Sequence, residues 1–413
     1  MNNIRVAVAH IGARRYYLIP QLFYEAGILE IFYTDFFIKF SIPKWFYKFL
    51  QKLGINPAVA MAGRHNSNLK KASVKDYKHL GISFWWQRQR FPFDKRPELN
   101  AEINNSFGKK VLASKQLKNA NTIYTFPGTA YNLFQNLGSH YFKVLDQNLA
   151  AQTYVSNLIA EEQERWVGWS PTNRQTDFTD TYVMDRHKQE WELADAILTP
   201  SDFVAESLQA EGVEQEKIEV IPYPVDLTVF PAQVRTPHEN PLRVLFLGNV
   251  NLRKGIPYLL NAALSLGANQ VQVRMIGAIQ VARNKLTAYD QVATFLGRLP
   301  RSVIYQELAW TDILCLPSIA EGNSLATNEA LASGVPVICT PNTGSRVRDG
   351  IDGKIVPIRD TDAIASALNQ YIQDGNFLRW QSEQAIAGRD RLGYQKYRNL
   401  VINAIYNRFN SWN

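Results

Sequence analysis

Two carboxylates set eight residues apart, Glu321 and Glu329, frame the run Glu-Gly-Asn-Ser-Leu-Ala-Thr-Asn-Glu, and a basic pair, Arg253-Lys254, stands upstream of it. The run opens an Ala/Leu-rich stretch that closes at Gly334, the place of a glycine that ends a helix. A helix start presents unpaired backbone N–H groups and the positive end of the helix dipole, and both favour an anion such as phosphate. Carboxylates repel phosphate, so Glu321 and Glu329 have to read hydroxyl groups beside it. With helix beginning near Asn323, Glu329 lies about two turns along. A ligand with hydroxyl-bearing rings on both sides of a diphosphate is a nucleotide sugar.

The elements that must position these groups are legible around them. An apolar strand, Thr311 to Leu316, ends at Pro317-Ser318 and feeds the loop with Glu321 and Gly322, and Val335 to Cys339 starts the next strand. A second strand–loop–helix, Val244-Leu-Phe-Leu-Gly248-Asn-Val-Asn-Leu-Arg253-Lys254-Gly255, carries the basic pair. Ile218-Glu-Val-Ile-Pro222-Tyr-Pro224-Val-Asp226 precedes it, and Gly344-Ser-Arg-Val-Arg-Asp349-Gly350-Ile-Asp-Gly353 follows the acidic run. In this order and at this spacing the four segments resemble the retaining glycosyltransferases of family 4, the large group with the GT-B fold.

The resemblance implies an α/β chain of two Rossmann-like, doubly wound parallel-sheet domains facing across a cleft. It also implies roles. Glu321 contacts hydroxyls of the transferred sugar, and the amides around Gly322, Asn323, Ser324 and Leu325 hold the diphosphate. Glu329 takes the ribose. Arg253 and Lys254, next to the Gly248 loop, neutralise charge growing on the leaving nucleotide, and Arg298-Leu299 lies where the family holds its base. Retention of configuration comes with the family, and the donor diphosphate is then the natural base for the incoming hydroxyl. No cofactor or metal is implied, because the arginine and lysine stand where a divalent ion otherwise would. The chain departs from the pattern in its first half. Many relatives place a histidine at the end of the fourth strand, where this chain reads Val144-Leu145-Asp146-Gln147-Asn148; Asp146 or Gln147 takes that position. The turn His10-Ile-Gly12-Ala13-Arg14-Arg15 stands where relatives carry a glycine-rich loop. Either its Gly12 backbone approaches the ligand with Arg14 or Arg15 adding charge, or the arginines merely cap a loop.

Composition narrows the classes. A chain of 413 residues, 46% apolar and 12% aromatic, is long enough for two domains with cores. Two cysteines exclude a disulfide framework and read as buried thiols in a reducing cytosol. No apolar run is long enough to span a bilayer, and Ile4 to Ala9 reads as a first strand rather than a leader, so a cytoplasmic location is expected. The net charge of +8 is concentrated in residues 1–110, which hold 18 Lys/Arg against 7 Asp/Glu. Nothing resembles a nucleic-acid-binding motif. The six histidines show no metal-ligand spacing, and Asp360-Thr-Asp362 precedes a helical run, where an N-cap is the fitting role.

Apolar runs alternate with helical stretches throughout, the pattern of parallel sheets with crossover helices. Residues 1–221 form the expected acceptor-binding domain, 222–241 a proline-rich linker and 242–389 the nucleotide-sugar-binding domain. Residues 390–413 form an aromatic helix that packs back on the first domain. After Pro43, Lys44, Lys48 and Lys52 recur beside Trp45 and Phe49, a basic amphipathic pattern suited to an anionic membrane surface or to a core helix with a solvated lysine face. The expected activity is transfer of a hexose from a UDP- or GDP-sugar to a saccharide or lipid-linked acceptor, at the inner face of the cell membrane. An epimerase and a catalytically silent partner subunit are the rivals.

Overall fold

Strands buried on both faces read as continuous apolar runs and need helices on either side. Val6–His10 and Thr122–Thr125 are buried at every position, and so is Ile313–Leu316. A computed structural model of the chain describes residues 4–39, 64–91, 96–170, 181–236 and 241–412. The front domain begins with β1 (Val6–His10), α1 (Leu18–Glu25), β2 (Leu29–Thr34), β3 (Val74–Asp76), α2 (Lys78–Arg90) and α3 (Arg96–Leu112). It continues with β4 (Thr122–Thr125), α4 (Ala130–Asn136), β5 (Phe142–Asp146), α5 (Gln152–Arg165), α6 (Thr181–Leu193), β6 (Ala196–Thr199), α7 (Asp202–Gln209) and β7 (Ile218–Val220). The rear domain comprises β8 (Leu242–Leu247), α8 (Ile256–Leu266), β9 (Val271–Ile276), β10 (Ala293–Gly297), α9 (Arg301–Trp310), β11 (Ile313–Leu316) and α10 (Leu325–Ala332). Then come β12 (Val337–Cys339), β13 (Gly353–Ile355), α11 (Thr361–Gln373), α12 (Gly375–Ala387) and the last helix, α13 (Tyr394–Trp412).

Both sheets are parallel. The front one runs β3-β2-β1-β4-β5-β6-β7 and the rear one β10-β9-β8-β11-β12-β13. Chain order reverses between β1 and β4 and again between β8 and β11. Ligands of open parallel sheets bind outside the carboxyl ends at such switch points. The loops after β1 and β4, and after β8 and β11, are therefore the ones that face ligand.

Sequence and structure differ locally. The edge strand β3 has only three residues and no fully buried position, so its periodicity carried no signal. The helix after the acidic run starts at Leu325, two residues later than Asn323, because the Ser324 side chain accepts from the Thr327 N–H and fixes the cap there. Gly334 follows its end in the left-handed region, at φ +79°. Asp360 caps α11 by accepting from Ala363 N–H at 2.8 Å.

The two domains share elements. Tyr397, Val401, Ile405 and Phe409 of α13 lie in the front core, where Phe409 stacks edge-on against Phe142. Helix α5, placed with residues 1–221 by its position in the chain, packs its C-terminal end on the rear domain. Glu162 accepts from Tyr258 OH at 2.9 Å and from Arg359 Nε at 2.6 Å, while Trp169 joins the rear core. The segment with Lys44, Trp45, Lys48, Phe49 and Lys52 lies outside the described residues.

Candidate functional site

The rear wall of the cleft is built by the loops after β8 and β11. Asn251 caps the short turn Leu252–Lys254, its side chain accepting from Lys254 N–H at 3.1 Å. Gly255 then turns the chain at φ +66° into α8. A side chain there would collide with the Pro317 carbonyl, so glycine is what lets the two loops touch. Across that contact Ile319 and Ala320 N–H donate to the Arg253 carbonyl at 2.9 and 3.2 Å, and Arg253 Nη1 donates to the Ala320 carbonyl. The result is that Lys254 Nζ meets the Glu321 carboxylate as an ion pair, with the two side chains 9% and 16% exposed. Burial, then the Arg253 guanidinium, push the Lys254 ammonium down to about 7. Gly248 backs the lysine, its position 3.5 Å from Lys254 Cε for an added methyl group.

Glu321 hands over to a cradle of free amides. The N–H groups of Gly322, Asn323, Ser324 and Leu325 find no acceptor among the described residues, and they stand at the start of α10. The loop is held from the front domain: Ser201 Oγ donates to the Gly322 carbonyl at 2.6 Å, and Asn323 Nδ2 to the Pro200 carbonyl at 3.0 Å. A methyl group on Gly322 would lie 3.0 Å from the Asn148 carbonyl, so the loop after β5 closes directly over it.

One turn further, Glu329 projects into a cavity of about 290 Å³ lined by Leu247, Leu299, Arg301, Tyr305 and Leu325, among others. Its side chain is 8% exposed and pairs with Arg301. Burial raises the Glu329 carboxyl, and Arg301 counters the rise. The sequence reading picked Arg298 and Leu299 for this place. Leu299 lines the cavity, but Arg298 is exposed outside its lining. Arg301 was missed; its signal is Pro300, which stops β10's loop and starts α9 on the next residue.

The front wall departs from the sequence reading at three residues. Asp146 is 2% exposed and fully engaged. Oδ1 accepts from Arg15 Nη2 at 3.1 Å and Tyr223 OH at 3.2 Å, and Oδ2 accepts from Tyr124 OH at 2.7 Å. It ties β4, β5, the linker and, through Arg15 and Tyr397, the last helix. At 2% exposed beneath these partners, it is not presented to a reacting sugar. Gln147 is equally closed, between Trp191 Nε1 and the Leu149 carbonyl. Gly12 takes φ +89°, but its N–H donates inward to Asp35 at 2.9 Å rather than toward the cleft.

Comparison with known proteins speaks to family and fold. Residues 241–374 fit the family model for group 1 glycosyl transferases. A protein of Escherichia coli strain K12 named for glycosyl transfer in colanic acid biosynthesis is 30% identical over 203 residues, 45% of this chain and 50% of that one. The chain spans about half the length of the curated relatives it matches. Across its whole length it superposes on sucrose-phosphate synthase from Thermosynechococcus elongatus at a TM-score of 0.68 and 16% identity, covering 99% of this chain and 100% of that one. It superposes on Anabaena HepE, solved with UDP-glucose, at 0.57 and 13% identity, covering 98% and 100%. The segment that carries both glutamates and the lysine thus belongs to the group 1 glycosyltransferases, and it sits in a chain with the two-domain GT-B fold.

Proposed function

We propose that the protein transfers a hexose, with retention, from a UDP- or GDP-sugar to a saccharide or lipid-linked acceptor in the assembly of a cell-surface polysaccharide or glycolipid. The observation that carries this reading is the continuous run of groups from Lys254–Glu321 through the free amides of residues 322–325 to Glu329 and its cavity. Glu321, the anion cradle with Lys254 beside it, and Glu329 follow in the order sugar, diphosphate, ribose. When a donor enters, its diphosphate replaces Glu321 as the partner of Lys254, and Glu321 is released to the sugar hydroxyls. As the glycosidic bond breaks, Arg253 and Lys254 stabilise the charge that develops on the leaving diphosphate in a dry cleft, where fixed cations act most strongly. With protein cations in this role no divalent ion is required. The colanic acid relative and the HepE complex with UDP-glucose support the pathway class and the donor class.

Docking on an anionic membrane completes the reading. Helix α2 adds support to the basic N-terminal segment: Ile82, Trp86 and Phe91 at its end are exposed beside Lys78, Arg88 and Arg90.

The direct test is incubation with labelled UDP- and GDP-sugars without acceptor. Slow hydrolysis of one donor is expected, unchanged by EDTA. Lys254→Ala should lower it at least ~100-fold, the size expected on removing a group that stabilises transition-state charge, and Glu329→Ala, which removes the ribose contact, should weaken donor binding and lower the rate at limiting donor. Full activity in both variants, or dependence on a divalent ion, would contradict the proposal.

A further inference from the structure

The loop after β1 carries two adjacent guanidinium groups, and the fold treats them differently. Arg15 is consumed: it pairs with Asp146, donates to Tyr397 OH at 2.8 Å and lies over the Tyr223 ring at 3.1 Å. Arg14 has no ion pair and no hydrogen bond among the described residues. It rests on the face of Phe126, 4.8 Å from the ring centroid, and is partly exposed. The nearby acids, Asp146 and Glu190, favour its charge through space without hydrogen-bonding it. Both Asp146 oxygens are committed, and the buried Glu190 is held by the N–H groups of Gly128 and Tyr131. His10, fully buried between Tyr17, Phe32 and Phe126, offers only a neutral ring.

The chain works to keep Arg14 there. Arg15, Tyr16 and Tyr17 all adopt left-handed backbone conformations, at φ 47°, 53° and 63°. Such conformations are unfavourable in non-glycine residues and persist where surrounding structure imposes them. Arg15 and Tyr17 supply the anchors, through Asp146 and through Tyr17 OH to the Phe36 carbonyl at 2.7 Å. The loop they fix spans the β1/β4 switch point, since Arg14 follows β1 and Phe126 follows β4. Strand β5, one place along, carries the Asn148 carbonyl that closes on Gly322. Arg14 thus follows a strand two places, about 10 Å, from the one whose loop closes on the donor loop.

A partly enclosed guanidinium with free donors, at a switch point, is a bidentate receptor for a carboxylate or phosphate. The donor diphosphate already has Lys254, Arg253 and the α10 amides. We infer that Arg14 binds an oxyanion of the acceptor, so that the sugar acceptor is itself acidic, bearing a carboxylate or a phosphate. This rests on the donor assignment above, and the test separates the two.

The full chain, as wild type, Arg14→Gln and Arg14→Lys, is first titrated by calorimetry with UDP and GDP, then with inorganic phosphate and D-glucuronate while saturated with whichever nucleotide binds. Arg14→Gln should weaken phosphate or glucuronate by at least about tenfold, the loss of one charge-assisted hydrogen-bonding partner, with Arg14→Lys between. Nucleotide affinity should stay within about twofold, and D-glucose, the neutral control, should be unaffected. Unchanged oxyanion binding in Arg14→Gln overturns the inference. So does a tenfold loss of nucleotide affinity with oxyanion binding intact, which would give Arg14 to the donor. If wild type binds neither nucleotide, the donor assignment fails while the phosphate titration, run without nucleotide, still decides Arg14. Matching unfolding temperatures for the three proteins exclude a folding defect as the cause.

Discussion

Lys254 is the residue whose chemistry is most exposed to test. In an unfolded chain its ammonium titrates near ~10.4, whereas burial and Arg253 hold it to about 7 here. The folded protein therefore binds fewer protons than the unfolded one between these values. The sign follows: this group's contribution to stability rises as pH rises from about 7 to 10, and its penalty is complete below 7. A bound diphosphate acts the other way, raising the ammonium back. Nucleotide binding at pH 8 should take up a proton, and affinity should fall as pH climbs above 7. Calorimetry in two buffers of different protonation enthalpy measures this directly, and Lys254→Ala should abolish the uptake. Proton release, or no pH dependence in the wild type, would place the diphosphate elsewhere.

At the scale of elements, the loop after β8 and the loop after β11 act as one unit, because Gly255 lets them meet. Gly255→Ala must place a Cβ against the Pro317 carbonyl at a positive φ. It should cost more than about 2 kcal/mol, combining backbone strain with a forced separation of the loops. Thermal denaturation checks the cost, and nucleotide titration checks that the Lys254–Glu321 pair has moved. Gly267→Ala, also at positive φ but with open space around it, isolates the backbone share.

Much of this rear unit was legible in the sequence. Apolar strands, glycine breaks and capping residues lie close together along the chain, and local physics decides them. Arg301 and Asp146 show where that legibility ends. The partner of Arg301 is 28 residues away across a cavity, and nothing in its spacing announces the pair. The surroundings of Asp146 come from Arg15, Tyr124, Tyr223 and Tyr397, four positions spread over nearly the whole chain. A carboxylate at a strand end reads the same whether it faces a ligand or is sealed beneath tyrosines. Only long-range packing distinguishes the two.

For the whole molecule, α13 is the clearest structural dependency. Deleting residues 394–412 removes Tyr397, Val401, Ile405 and Phe409 from the front core. At about 1.5–3 kcal/mol for each buried side chain the loss is about 6–12 kcal/mol, comparable with the total stability of a domain. The truncated chain should lose its protection from proteases in both lobes, the front first; a fully resistant product would contradict this assignment of the core.

Helix α5 carries a different consequence. Its beginning is fastened to the front domain, where Ala151 N–H donates to Ser207 Oγ, and its end to the rear, through Glu162 and Trp166. The polypeptide thus visits the second lobe before its linker ever reaches it. Neither half is a self-contained folding module: a fragment cut at the linker would strip Tyr258 and Tyr289 of their tryptophan cover. Heating the intact chain should melt both lobes in a single calorimetric peak, since each holds part of the other's interior.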